Sequence, residues 1–214
     1  MAEIYYIGGS PCSGKTTLTE LLVKRHGLYH FKVDDYLEDY TTRGRSKGKP
    51  VCTRITRMSA NETWMRSPEL QNQEELEFYR EIFEYVLFDL NRKNDKRAII
   101  TEGAAYLPEL MKKNGVDAAH YIAIIPTKSF QVTRYQTRSW VPYLLKDCED
   151  SEKAFQNWME RDALFAKTIK EQCLEAEYQC FVTDGISTPA EMARDAERVF
   201  GLLPKENKPT AISQ

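Results

Sequence analysis

Residues 4–17 read IYYIGGSPCSGKTT. The apolar run Ile4, Tyr5, Tyr6, Ile7 passes straight into a full match, from Gly9 to Thr16, to the phosphate-binding pattern G-x-x-x-x-G-K-[ST]. Glycines let successive backbone N–H groups curl around a β-phosphate, a helix start adds its positive end, and a lysine reaches the outer phosphates. Gly9, Ser10, Pro11, Cys12, Ser13, Gly14, Lys15, Thr16 and Thr17 are therefore the expected contacts to ATP, with Lys15 as the phosphate lysine and the Thr16 hydroxyl as a ligand of Mg²⁺. Leu18, Leu21 and Leu22 follow at helical spacing, so a strand precedes the loop and an amphipathic helix follows it. That context separates the motif from a chance glycine turn.

Outward from the loop, four more strand candidates, 28–33, 98–101, 120–125 and 178–182, alternate with stretches of helical periodicity. The alternation implies an α/β fold in three layers, a five-stranded parallel sheet with helices on both faces. The first helix is expected over 15–26, stopped by Gly27. A second, over 73–91, carries Leu76, Tyr79, Ile82, Phe83, Val86, Leu87 and Leu90 on one stripe. A third runs over 127–138 until Trp140-Val141-Pro142 interrupts it, and a long one covers 151–175. The last begins with Thr188 as N-cap, Pro189 at the first position and Glu191 three residues after the cap. Residues 36–72 and 139–150 resist the alternation, as lids and binding loops often do. The expected organisation is one domain over 1–203, with 36–72 as an acceptor-capping insert, 127–150 as a lid, and 204–214 as a disordered tail.

A length of 214 residues suits one α/β domain with an insertion, and a net charge of −2 gives no global signature of nucleic-acid binding. Locally, residues 41–66 carry seven basic side chains (Arg43, Arg45, Lys47, Lys49, Arg54, Arg57, Arg66) against Glu62 alone. This points to an anionic partner for that stretch, with a solvated basic loop as the alternative. Tyr36, Tyr40, Trp64 and Met65 nearby could shape a pocket or simply pack. Five cysteines, an odd number without a C-x-x-C pair and with one inside the phosphate loop, fit reduced thiols. Without a signal-peptide pattern or an apolar run of transmembrane length, a soluble cytoplasmic protein with no membrane partner is expected. His26, His30 and His120 suggest no metal constellation, and no structural metal is expected.

Ligands of open parallel sheets sit beyond the carboxyl ends of the strands. Polar residues stand at each such end: Asp34 and Asp35, then Glu102-Gly103, then Thr127 and Lys128 leading to Arg134 and Arg138, then Thr183-Asp184-Gly185. An acidic residue beside a phosphate loop can accept a proton from an attacking hydroxyl or hold Mg²⁺ through water. Asp34 is assigned the first role, with Asp35 as the neighbouring choice, and Glu102 the second; exposed turns or helix caps are the structural alternative. Arg134 and Arg138, four apart on a predicted helix, share a face and could clamp transferring phosphates, or be solvated. Asp162 falls within an apolar helical stripe, and a structural role is expected for it.

The set GGSPCSGKTT, FKVDDYL, IITEGAAYLP and an arginine-bearing helix resembles the P-loop small-molecule kinases, which include uridine kinases, gluconate kinases, chloramphenicol phosphotransferase and the adenylate-kinase group. The resemblance covers most of the first 140 residues in motif order and implies the P-loop NTPase fold. It implies that Asp34 engages an acceptor and that Arg134 and Arg138 reach the phosphates; the basic insert would then cap that acceptor, with Tyr36, Arg54 and Arg57 as the expected further contacts. Glu102-Gly103 is closer to the uridine-kinase arrangement than to the Asp-Gly-x-Pro-Arg of adenylate kinases, and Asp184-Gly185 sits where such folds approach adenine.

The leading expectation is an ATP-dependent phosphotransferase acting on a hydroxyl or phosphate of a small, anionic metabolite, nucleoside or nucleotide. A nucleic-acid end kinase, with the basic insert tracking a phosphate backbone, and a regulatory NTPase without acceptor are the competing classes. A GTPase is disfavoured, because no N-K-x-D motif stands at a strand end.

Overall fold

The computed structural model describes residues 3–93 and 95–203; the expected tail, 204–214, lies outside the described residues. The chain runs β1 (Ile4–Gly9), α1 (Lys15–His26), β2 (Tyr29–Lys32), a 3-10 turn (Val33–Tyr36), α2 (Leu37–Ser46), α3 (Pro50–Ile55), α4 (Ala60–Trp64) and α5 (Pro68–Asn91). It continues with β3 (Ile99–Glu102), α6 (Pro108–Lys113), β4 (Tyr121–Pro126), α7 (Lys128–Gln136), α8 (Val141–Leu145), α9 (Ser151–Ala176), β5 (Gln179–Thr183) and α10 (Pro189–Val199). All strand pairings are parallel, in the order β2-β3-β1-β4-β5.

Alternation along the strands builds the two faces, because successive side chains of a strand point to opposite sides. Ile99, Tyr121, Ala123 and Ile125 pack with Phe31 against Leu76, Ile82 and Val86 of α5 and Phe165 and Ile169 of α9. Tyr5, Ile7, Ile100, Ile122 and Ile124 point the other way, onto Leu18 and Leu22 of α1 and Ala193 and Ala196 of α10. The result is the expected three-layer α/β architecture. Because β1 is central, with β3 on one side and β4 on the other, its carboxyl end is the switch point where a crevice opens. A third cluster, Tyr135, Val141, Leu145, Trp158 and Met159, fastens residues 135–145 onto α9.

The structure departs from the sequence reading mainly in the helices. The segment 36–72 is helical, with α2, α3, α4 and the first turn of α5. α5 starts five residues earlier than expected, capped by the Ser67 hydroxyl, which accepts from the Leu70 N–H, with Pro68 at its first position. α7 ends at Gln136, so Arg134 and Arg138 do not share a helix face; Arg138 sits in the following turn. Pro142 forces that break, since it lacks an N–H and fits only the first turn of a new helix, α8. α6 was not anticipated. Among the described residues, no helix is long and apolar enough to cross a membrane.

Candidate active site

The loop between β1 and α1 keeps its shape because glycine stands where no other residue fits. Gly9 has φ +116°, and a Cβ there would lie 2.0 Å from the Ile124 carbonyl oxygen of β4. The close approach lets the Ser10 N–H donate to that oxygen at 3.1 Å. Cys12 (φ 60°) and Gly14 (φ 89°) also adopt left-handed backbone, and such turns direct successive N–H groups into one anion-binding concavity. From the other side, the Thr183 hydroxyl at the end of β5 donates to the Ser13 carbonyl at 2.7 Å.

Lys15 folds back over the loop, its Nζ donating to the Gly9 carbonyl (3.2 Å) and the Ser10 carbonyl (2.7 Å). Burial pulls its pKa down from the usual lysine range, and the carboxylates of Glu102, Asp34 and Asp162 work against that shift. Glu102, at the end of β3, accepts from the Thr16 hydroxyl at 3.0 Å and is 1% exposed. Its pKa is raised by burial, with Lys15 opposing. Among the described residues its second oxygen has no hydrogen-bond partner. A buried carboxylate oxygen without a donor beside a hydroxyl is a hard-oxygen set that suits Mg²⁺.

Asp34, in the 3-10 turn after β2, lines one cleft of about 320 Å³ with Lys15, Thr16, Glu102, Tyr135 and Arg138. Asp35 is turned outward, 65% exposed and 3.9 Å from Lys32, so the turn separates the two neighbours. Beside this cleft lies a cavity of about 450 Å³, which shares Cys12, Ser13, Gly14, Thr17 and Arg138 with it and is otherwise walled by Phe130, Arg134, Ile186, Pro189 and Met192. Arg134 lies over the Phe130 ring, Arg138 over Tyr135 and Trp140, and the Arg138 guanidinium reaches the Cys12 sulfur at 3.6 Å. The Asp184 carboxylate accepts from the N–H groups of Ile186 and Ser187, closing the turn that presents Gly185 to the cavity.

The insert is arranged differently from the expectation. Tyr36 stacks on Phe31 at 5.2 Å and accepts from Lys93, as part of the core beside β2. Arg54 and Arg57 border a separate hollow with Pro50, Thr53, Met58 and Glu62. Neither Tyr36 nor these arginines line the cleft around Lys15. Four of the seven insert cations form ion pairs: Arg43 with Asp39 and Asp89, Lys49 with Glu84, and both Arg54 and Arg66 with Glu74. The acids of α5 thus answer charge that looked available to a partner.

The sequence reading did not find a third cavity, of about 240 Å³, between α3, α4, α5 and α9. Arg66, Gln71, Glu74, Glu75, Tyr79 and Arg161 are among its walls. Arg161 is ion-paired with Glu75 and with its own neighbour Asp162, whose carboxyl is fully buried. Burial works against the Arg161 charge, but the two acids outweigh it and raise its pKa. Two carboxylates here share one guanidinium. Burial together with the Asp162 charge pushes Glu75 up to about 7. The one sequence signal was Asp162 inside an apolar stripe, where an acid has no place without a partner.

A Walker-type loop after the central strand of a parallel sheet, with a buried acid on the adjacent strand, defines the three-layer P-loop NTPase fold. No family model and no curated protein matches this sequence. Among solved structures, the chain is similar to TT1252 from Thermus thermophilus, with 15% identity and a TM-score of 0.48, covering 95% of this chain and 99% of that one. It is also similar to shikimate kinase from Aquifex aeolicus, with 17% identity and a TM-score of 0.38, covering 90% and 92%. Likeness of this degree leaves the function to be argued from the site.

Proposed function

We propose that this chain is an ATP-dependent kinase that moves the γ-phosphoryl group of Mg-ATP to a hydroxyl of a small molecule held in the cavity between α3, α4, α5 and α9. One observation carries the reading: Lys15, Thr16, Asp34 and Glu102 line a single cleft that adjoins a cavity large enough for a nucleotide base. Lys15 exchanges its two loop carbonyls for phosphate oxygens and holds charge that develops on the transferring group. Arg134 and Arg138, on the wall of the base-side cavity, reach the phosphates from the lid segment 127–150. Asp34 takes the proton of the acceptor hydroxyl. Mg²⁺, held by Thr16 and through water by Glu102, would neutralise the β- and γ-phosphate oxygens when bound.

The test is ADP release from Mg-ATP with and without acceptors, comparing wild type with Asp34→Asn. Acceptor-stimulated release that falls by about 10²–10⁴ in the variant, with ATP binding retained, is the expected result. Release independent of every acceptor would make the chain an NTPase instead. The nucleic-acid reading is weakened, because four of the seven insert cations are paired with acids of α5.

A further inference from the structure

The chemistry of the third cavity points to a particular acceptor. Its volume, about 240 Å³, is below the range of about 300–1,000 Å³ that receives drug-sized ligands. A ligand of monosaccharide size fits. The charged groups of its wall are already matched, Arg66 with Glu74 and Arg161 with Glu75, while Arg54 and Asp162 add one more charge of each sign behind them. A phosphorylated ligand would have to compete with these carboxylates for the arginines that they already engage.

Gln71 supplies the positive half of the argument. It is 4% exposed and lines the cavity. Its side-chain nitrogen donates to the Trp64 carbonyl (3.1 Å) and the Arg66 carbonyl (2.8 Å), which fixes the amide orientation. Its oxygen is left, among the described residues, as a buried acceptor without a donor. Such an atom calls for an O–H or N–H from a ligand. Ile55, Met58 and Phe78 form an apolar part of the same wall, suited to the C–H face of a ring. The cavity is also tied to the phosphate loop: Arg161 faces the cavity, and the carbonyl of the next residue, Asp162, accepts from the Ser10 hydroxyl at 3.5 Å. Lys15 and Asp34 act electrostatically on Glu75 and Tyr79 in its wall.

We infer that the acceptor is an uncharged, polyhydroxylated compound of monosaccharide size, which donates a hydroxyl to the Gln71 oxygen; this rests on the kinase reading above. One of its hydroxyl oxygens bonds to the γ-phosphorus as the bond from that phosphorus to the bridging β-γ oxygen breaks. The hydroxyl proton passes to Asp34, and ADP leaves with the bridging oxygen.

Two acceptor sets test this: neutral monosaccharides, sugar alcohols and cyclitols on one side, and their monophosphates and uronic acids on the other. With wild-type protein and Mg-ATP, ADP release stimulated by members of the neutral set is expected. In Gln71→Leu the KM for the active polyol should rise about tenfold, the loss expected for one buried hydrogen bond, against an unchanged KM for Mg-ATP. Stimulation by the anionic set alone overturns the inference and leaves the kinase standing. Release that no member of either set changes overturns the kinase reading itself. If Gln71→Leu does not fold, as its circular dichroism would report, saturation-transfer NMR on the wild type decides: transfer to neutral polyols supports the inference, and transfer only to the anionic set refutes it. A folded Gln71→Leu with unaltered polyol KM also refutes it, since the polyol then binds elsewhere.

Discussion

Lys15 has two short contacts to loop carbonyls and three carboxylates in electrostatic reach, an arrangement that holds an ammonium ready for phosphate. Lys15→Ala should lower turnover with Mg-ATP by about 10²–10³, read as kcat in a coupled ADP assay; an undiminished kcat would remove Lys15 from the chemistry. Gly9 is constrained twice, by its φ of +116° and by the Ile124 carbonyl 2.0 Å from any Cβ. Gly9→Ala is therefore expected to destabilise the fold by about 2 kcal/mol or more in urea unfolding. Both residues are legible in the sequence, because a phosphate loop is a local object whose backbone and ligands lie within eight residues. The choice between Asp34 and Asp35 was not legible. It depends on how one 3-10 turn rotates two adjacent side chains, and only Asp34 enters the cleft.

Where α5 meets α9, the contacts join side chains far apart in the chain. Glu75 and Asp162 compete there for Arg161, and the Glu75 carboxyl is raised from the ordinary 4.5 to about 7. Between those two pH values the folded chain keeps a proton that the unfolded chain has released, so this group lowers stability as pH rises and adds no further change above about 7. Glu75→Gln removes that titration. The stability of Glu75→Gln minus that of wild type should grow from pH 5 to pH 7, by on the order of 1–3 kcal/mol, and then level off. Urea unfolding at four pH values measures it, and a difference that stays constant would contradict the assignment. The insert teaches the same lesson about elements. α3 is only six residues long, and its first N–H groups, on Val51 and Cys52, donate to the Glu81 carboxylate of α5 at 2.8 Å each. A helix capped by another helix leaves no side-chain cap signal in its own sequence, which is why α3 was not legible there, whereas α4 and α5 carry their own caps at Ser59 and Ser67.

For the molecule as a whole, the order β2-β3-β1-β4-β5 puts the loop after β1 at the switch point and gathers the ends of all five strands around it. Ligand binding there is linked to global stability. Mg-ATP at about 100 times its Kd should raise the Tm by roughly 5–10 °C in differential scanning fluorimetry, and at the same Mg-ATP concentration the shift should be smaller in Lys15→Ala. The phosphate loop, the five parallel strands, the helices α1, α5, α7, α9 and α10 and the acid at the end of β3 were all legible in the sequence. Each of those is written in a motif or a periodicity that spans a few neighbouring residues. The helical insert, the pairing of four of its seven cations with acids of α5, and the meeting of Gln71, Glu75 and Arg161 around a cavity came only from the tertiary structure. Those outcomes are contacts between distant segments, set when α5 and α9 pack on one face of the sheet, and no local pattern encodes which charge will find which partner.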